Sequence, residues 1–398
     1  MAIFDFPPNW RAAVTETHEY LTDIMLSGNR TEQRRALRGK PRGFLSYEAL
    51  LHGPDSARFE WMMFAGQPQE FELPVWPWSL NLLTTANHGT ETIHIEGPLP
   101  AWFQLGYKLA FYQPGRPAMS LVATSVTTQA DGSLLVGLET GVIGKWGAGS
   151  PVFPVWIARV DDTFSTTRKV SSVTETPVSF KRKVSNKPEP IKAAAPDLMV
   201  GQMEALVRRV NWGNGMKLDL TWETELLDAT IGPTSFEVPS DMPRRTRTGT
   251  VLCTRLEDIN WWYAFFDRMK GRRGVFLAPS WQQDLPLQPP SGTDYAFEVP
   301  GVTFGEMFKV NKMLTHIFVV KRDGSYGFYR IKTITPDYAG GFTKVYTDAW
   351  NEPYPPSAAS MACLAGPCRL GVDSLVISWR TNRVAELNIA TMTVEEDW

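Results

Sequence analysis

One feature constrains the fold of this chain more than any other. The order of local signals in its first part returns in its second, about 205 residues later. An Asn-Trp pair (Asn9-Trp10, Asn211-Trp212) precedes an alternating run. An arginine cluster follows, Arg34 and Arg35 in one case and Arg244 and Arg245 in the other. Each cluster leads into a strand-like stretch, "GFLSYEALL" or "TGTVLCTRL". Next comes an aromatic segment with a helix-like run, a Gly turn and a strand ending in proline (Pro74, Pro279). Each part also closes with a hairpin-like pair, "FPVWIARVDDTFSTTRKVSSVTETPVSFKR" and "GPCRLGVDSLVISWRTNRVAELNIATMTVEE". Between the parts, "SFKRKVSNKPEPIKAAAPDLMV" is rich in Lys, Pro and Ala and reads as a linker. The expected division is a β-rich domain over 1–185, a linker over 186–205, and a related β-rich domain over 206–398, an internal duplication.

The periodicity is mostly that of strands. "TETHEYLTDIML" and "GSLLVGLETGVI" alternate with period two, which places one set of side chains inward. "HIFVVKRDGSYGFYRIKTIT" reads as a hairpin turning at Asp323-Gly324, and Asp131-Gly132 marks another turn. Thirty prolines and 31 glycines favour turns over long helices. One helix is expected per half, over 57–64 and 256–270. In the second, Ile259, Trp262, Phe265, Phe266 and Met269 recur at helical spacing. Asp258 is the expected N-terminal cap, and Arg268, Lys270 and Gly271 form a stop. The expected fold is mainly β: two related β-sandwich- or barrel-like domains, each with a short helix.

A formal net charge of -2 argues against a general nucleic-acid binder. No apolar run is long enough for a membrane helix, and the first residues carry no secretory pattern. The five histidines are scattered, with no metalloprotease, nucleophile-elbow or phosphate-loop motif around them. No catalytic residue, cofactor or metal site is therefore assigned. Cys253, Cys363 and Cys368 give no disulfide framework; they read as reduced thiols, and a metal site at Cys363 and Cys368 would need ligands from another chain. Glu60, Glu70, Glu72, Asp161 and Asp162 are the acids that stand beside Trp-rich segments, as a glycosidase pair would. Trp61, Trp76, Trp78, Trp261, Trp262 and Trp281 are candidates for core, for a subunit contact, or for a sugar-stacking surface. The arginines (Arg34, Arg35, Arg38, Arg42, Arg244, Arg245, Arg272, Arg273) admit three readings: a solvated turn face, a charge strip at a subunit interface paired with acids such as 395–397, or a lining facing passing DNA.

Two of these stretches resemble a known family. "FPPNW…TDIMLSGNRTEQRRALRGKPRGFLSYEALL" resembles the N-terminal region of tail and baseplate proteins of bacteriophages with long, non-contractile tails. "AFFDRMKGRRGVFLAPSWQQD" resembles a second signature of phage distal tail proteins, carried here by Phe265, Phe266, Arg272, Arg273, Gly274, Phe276 and Asp284. The resemblance implies a tail-tube-like fold, the first domain included. It also implies a structural, non-enzymatic role in the virion tail tip, after assembly in the bacterial cytoplasm. The implied partners are further copies of the chain in a hexameric ring, or a trimer of a duplicated domain, together with the tail-tube protein, the baseplate hub and fibre proteins. DNA would be met only in transit. The signatures fall one in each half, a departure that leaves the count of chains open. The alternative from another class is a carbohydrate-binding or carbohydrate-active protein using its tryptophans.

Overall fold

The computed structural model describes residues 1–27, 31–66, 70–160, 165–184, 195–222, 225–228, 230–232, 234–237, 243–285, 296–308, 313–348 and 359–394. The chain is mainly β. Its first half runs β1 (Ala2–Ile3), β2 (Val14–Glu19), β3 (Thr22–Leu26), β4 (Glu32–Ala36), β5 (Arg42–His52), α1 (Pro54–Gly66), β6 (Phe71–Pro74), β7 (Leu80–Asn81), β8 (Thr92–Ile95), β9 (Lys108–Gln113), β10 (Arg116–Thr128), β11 (Leu134–Leu138), β12 (Pro151–Val160), β13 (Thr167–Val170) and β14 (Val173–Arg182). The second half runs β15 (Met199–Val200), β16 (Met203–Ala205), β17 (Lys217–Thr221), β18 (Glu225–Leu227), β19 (Ser235–Glu237), β20 (Arg244–Cys253), α2 (Leu256–Met269), β21 (Phe276–Pro279), β22 (Ala296–Pro300), α3 (Thr303–Phe308), β23 (His316–Lys321), β24 (Tyr326–Asp337), β25 (Phe342–Thr347), β26 (Ala359–Leu370), β27 (Ser374–Trp379) and β28 (Ala385–Thr393). Among the described residues no barrel closes.

The pairings of the second half follow those of the first in order. A short strand lies parallel to the strand after the helix, β1 to β6 and β16 to β21. Antiparallel pairs then correspond: β2·β5 and β17·β20, β5·β14 and β20·β28, β6·β12 and β21·β26. So do β9·β12 and β23·β26, β9·β10 and β23·β24, β10·β11 and β24·β25, and β8·β11 and β22·β25. Register corresponds as well. In the first half Phe71 lies opposite Ala158, Arg159 opposite Lys181, Lys181 opposite Phe44, and Phe44 opposite Thr17. In the second, Phe276 lies opposite Cys368, Arg369 opposite Met392, Met392 opposite Thr246, and Thr246 opposite Asp219. Following these partners puts Thr17 in the place of Asp219, and Arg42 in that of Arg244. The expectation that Arg34 and Arg35 match Arg244 and Arg245 is thereby corrected: Arg34 and Arg35 lie on the β3·β4 hairpin, whose counterpart is β18·β19.

Alternation explains why these stretches pair. Along β5, Gly43, Leu45, Tyr47, Ala49 and Leu51 face the interior, and β14 turns Thr174, Thr176, Val178 and Phe180 onto the same face. Phe4 meets Phe180, Phe71 and Phe59 edge-on there, so β1, β6 and α1 close one side of the core. In α2 the expected apolar stripe is buried, and Lys270 ends the helix in the left-handed region with φ 50°. Arg255, not Asp258, occupies the N-cap position. Asp258 is instead held by Arg255 Nε at 3.2 Å and Arg208 Nη1 at 3.0 Å, so its oxygens do not cap.

The halves are not separated by the expected linker alone. Its later part forms β15 and β16, and β16 joins β21; residues 185–194 lie outside the described residues. β2 of the first half pairs with β27 of the second, from Val14 opposite Trp379 to Glu19 opposite Ser374. One antiparallel sheet therefore runs β13-β14-β5-β2-β27-β28-β20-β17. The main hydrophobic cluster draws on both halves, from Phe4 to Ile389.

Candidate functional site

The junction between the halves is where chemically demanding groups gather. β2 turns Val14, Glu16 and His18 inward. Glu16 is fully buried, and its carboxylate accepts from Trp78 Nε1 at 3.3 Å and Trp379 Nε1 at 3.1 Å, while His18 Nε2 lies 3.1 Å from Oε1. Helix α2 covers this strand. Tyr263 meets the His18 ring at 4.7 Å, Phe266 meets Tyr20 at 5.5 Å, and the Tyr20 hydroxyl donates to Asp267. The same helix holds the first half through Asn260, which accepts from Ala101 N at 2.7 Å and donates to Leu99 O at 2.9 Å.

A second clamp stands at the turn after α2. Asp373 accepts from Arg272 N at 2.8 Å, Thr22 N at 2.8 Å, Thr22 Oγ1 at 2.7 Å and Arg272 Nε at 3.2 Å. Burial opposes the charged carboxylate, but these donors and the Arg272 charge together hold the Asp373 pKa below its ordinary value. Gly271 sits here with φ +67°, and a Cβ at this position would clash with Asp373 Oδ1.

Arg34 and Arg244, one from each basic cluster, lie near the same acid. Glu32, at the start of β4, accepts from Arg369 Nε at 2.7 Å and Nη2 at 3.0 Å, a bidentate pair. Arg34 lies 3.9 Å and Arg244 3.8 Å from the same carboxylate. Arg38 donates to Glu19 at 2.9 Å. Arg245 is half-buried, and burial first, then the neighbouring Arg247, lowers its pKa. Arg35, Arg42 and Arg273 are exposed. The arginines thus divide: Arg34, Arg38, Arg244 and Arg272 lie by this chain's own acids, and Arg244 and Arg272 join elements distant in sequence. The expected acidic partners 395–397, and Asp161 and Asp162, lie outside the described residues.

Of the six tryptophans singled out, Trp76, Trp78, Trp261, Trp262 and Trp281 are buried within this chain, and Trp61 is exposed. Trp76 Nε1 donates to Tyr47 Oη at 3.1 Å, Trp261 stacks on Phe265 at 5.2 Å, and Trp281 meets Phe318 at 5.2 Å. Glu60, Glu70 and Glu72 are held by Arg168, Lys183 and Lys108 at 2.7, 2.7 and 2.6 Å. All three cysteines are buried free thiols; burial raises Cys363 to about 11 and Cys368 to about 12. Among the described residues no group of three or more His, Cys, Asp or Glu stands together as a metal cage. A groove of about 410 Å³ is lined by Glu96, Asp131, Ser133, Arg255 and Arg383, among others. The Ser133 hydroxyl donates to Asp131 at 2.6 Å and lies 2.7 Å from His94 Nε2. No described helix is long and apolar enough to cross a membrane.

Sequence reasoning missed Glu16, His18, Glu32 and Asp373. Only a polar residue at an inward position of an alternating strand, as Glu16 is in "VTETHE", carried a signal. No protein-family model matches the chain, and no curated protein matches it.

Proposed function

We propose that this chain is a structural component of the tail tip of a long-tailed, non-contractile bacteriophage. In this reading it is a ring-forming baseplate or distal tail protein that joins the tail tube to the hub and fibres and leaves a channel for DNA. The two halves descend from one duplicated unit, so three chains supply six ring positions. The observation that carries the reading is the sheet built from both halves in like register, with four strands from each side by side across β2·β27. Repeated units joined edge to edge are the geometry from which rings are made.

The outer face of that sheet suits a channel wall. It presents Thr15, Thr17, Ser46, Ser374, Ser378, Thr246, Thr248 and Thr250, half-exposed or exposed, with Arg42 and Glu48 among them. A wall of uncharged hydroxyls with few cations neutralises few phosphates and so has little electrostatic grip on passing DNA. The resemblance of "EQRRALRGKPRGFLSYEALL" and "AFFDRMKGRRGVFLAPSWQQD" to tail proteins supports the same role. Among the described tryptophans, Trp61, Trp212 and Trp222 are exposed, and these are what the carbohydrate reading could use. Electron microscopy of the purified chain at rising concentration tests the proposal. Rings with an open centre are expected; compact particles without a centre at every concentration would overturn it.

A further inference from the structure

The internal junction has no match at the two ends of the sheet. β17 pairs only with β20, and β13 only with β14, so among the described residues both are edge strands. Register puts Leu218, Leu220 and Trp222 in the places of Glu16, His18 and Tyr20. Glu16, His18 and Tyr20 are 0%, 3% and 1% exposed, because β27 and α2 cover them. Leu218, Leu220 and Trp222 are 37%, 42% and 53% exposed and more apolar than the residues they replace. At the opposite end, α1 occupies the place of α2, and its Trp61 and Phe64 are 77% and 93% exposed. The β2·β27 junction thus supplies a template, and each sheet end holds one half of it.

We infer that β17 and its Leu218, Leu220 and Trp222 form one docking surface, and β13 with Trp61 and Phe64 of α1 the other. The partner of each is a second copy of this chain, joined head to tail. Antiparallel addition of β13 to β17 continues the sheet in the sense of β2·β27 and supplies backbone partners to both edges. The apolar side chains then lie beneath the incoming helix, as His18 and Tyr20 lie beneath Tyr263 and Phe266. The surfaces differ, so the contact is heterologous and grows until rotation closes it. This inference rests on the ring reading above and identifies the surfaces that would make the ring.

The test uses the full chain and two double variants, L218K/L220K and W61D/F64D, all at exposed positions. Near-ultraviolet circular dichroism checks folding, and light scattering gives the mass. The wild type is expected to assemble. Each variant alone should remain monomeric, or need at least tenfold more protein to assemble. Each variant keeps one intact surface, so an equimolar mixture should give a 1:1 dimer that grows no further. Variants that assemble like the wild type would overturn these surfaces and leave the ring reading standing. Monomeric variants that fail to dimerise on mixing would overturn the head-to-tail pairing. A wild type that stays monomeric at every concentration would overturn the ring reading and this inference together.

Discussion

At the scale of the residue, the junction depends on a buried carboxylate. Glu16 is the acceptor shared by Trp78 and Trp379 and the neighbour of His18. Replacing it with leucine, the residue at the corresponding place in β17, leaves these groups buried without a partner. Each unmatched buried donor costs about 1–3 kcal/mol, so Glu16→Leu is expected to lower unfolding stability by on the order of 3–5 kcal/mol. A urea midpoint shift worth under about 1 kcal/mol would sink this account. His316 makes a pH-dependent contribution. Burial first, and then Arg330, lowers its pKa from 6.5 to about 4, so the folded chain keeps it neutral. The unfolded chain binds the proton first. The contribution is therefore full above about pH 6.5 and is lost as pH falls toward 4. His316→Phe should show a shallower fall in urea midpoint between pH 7 and 5 than the wild type. Parallel curves would contradict it.

At the scale of the element, hairpin β3·β4 and the turn after α2 fasten the halves. Glu32 and Arg369 are both nearly buried, and removing one partner of such a pair costs about 3–5 kcal/mol. Glu32→Gln is expected to destabilise in that range, since the buried Arg369 guanidinium would lose the carboxylate it pairs with. Loss of under about 1 kcal/mol in chemical denaturation would show the clamp to be dispensable. Gly271→Ala combines a left-handed backbone with a Cβ against Asp373. It should speed hydrogen exchange in β3 and in the turn while leaving β9 and β10 unchanged. Uniform exchange in mutant and wild type would refute this. Helix α2 was legible in the sequence because five apolar residues at helical spacing need a sheet to cover them. Its cap was not: Asp258 has the right chemistry, but Arg208, distant in sequence, competes for its oxygens.

At the scale of the whole molecule, the sheet across β2·β27 decides what the arginines can do. Arg35 is exposed, whereas Arg34 lies by Glu32 and Arg244 inside the chain's own clamp. Changing both to glutamate therefore confounds folding with assembly. Arg34→Glu is expected to destabilise the monomer through repulsion from Glu32, and Arg35→Glu to leave its urea midpoint unchanged. Equal midpoints for the two variants would place Arg34 outside the clamp. By itself, the sequence determined the β class, the position of α2, the turns at Asp131-Gly132 and Asp323-Gly324, and the recurrence of signals along the chain. Alternation, helical spacing and turn chemistry act over a few residues and are written locally. The tertiary structure alone decided that His18 lies beneath Tyr263, that Glu32 gathers arginines from both halves, and that Trp76, Trp78, Trp261, Trp262 and Trp281 are interior. Those outcomes depend on strand register across hundreds of residues, where a shift of one position exchanges the buried face for the open one.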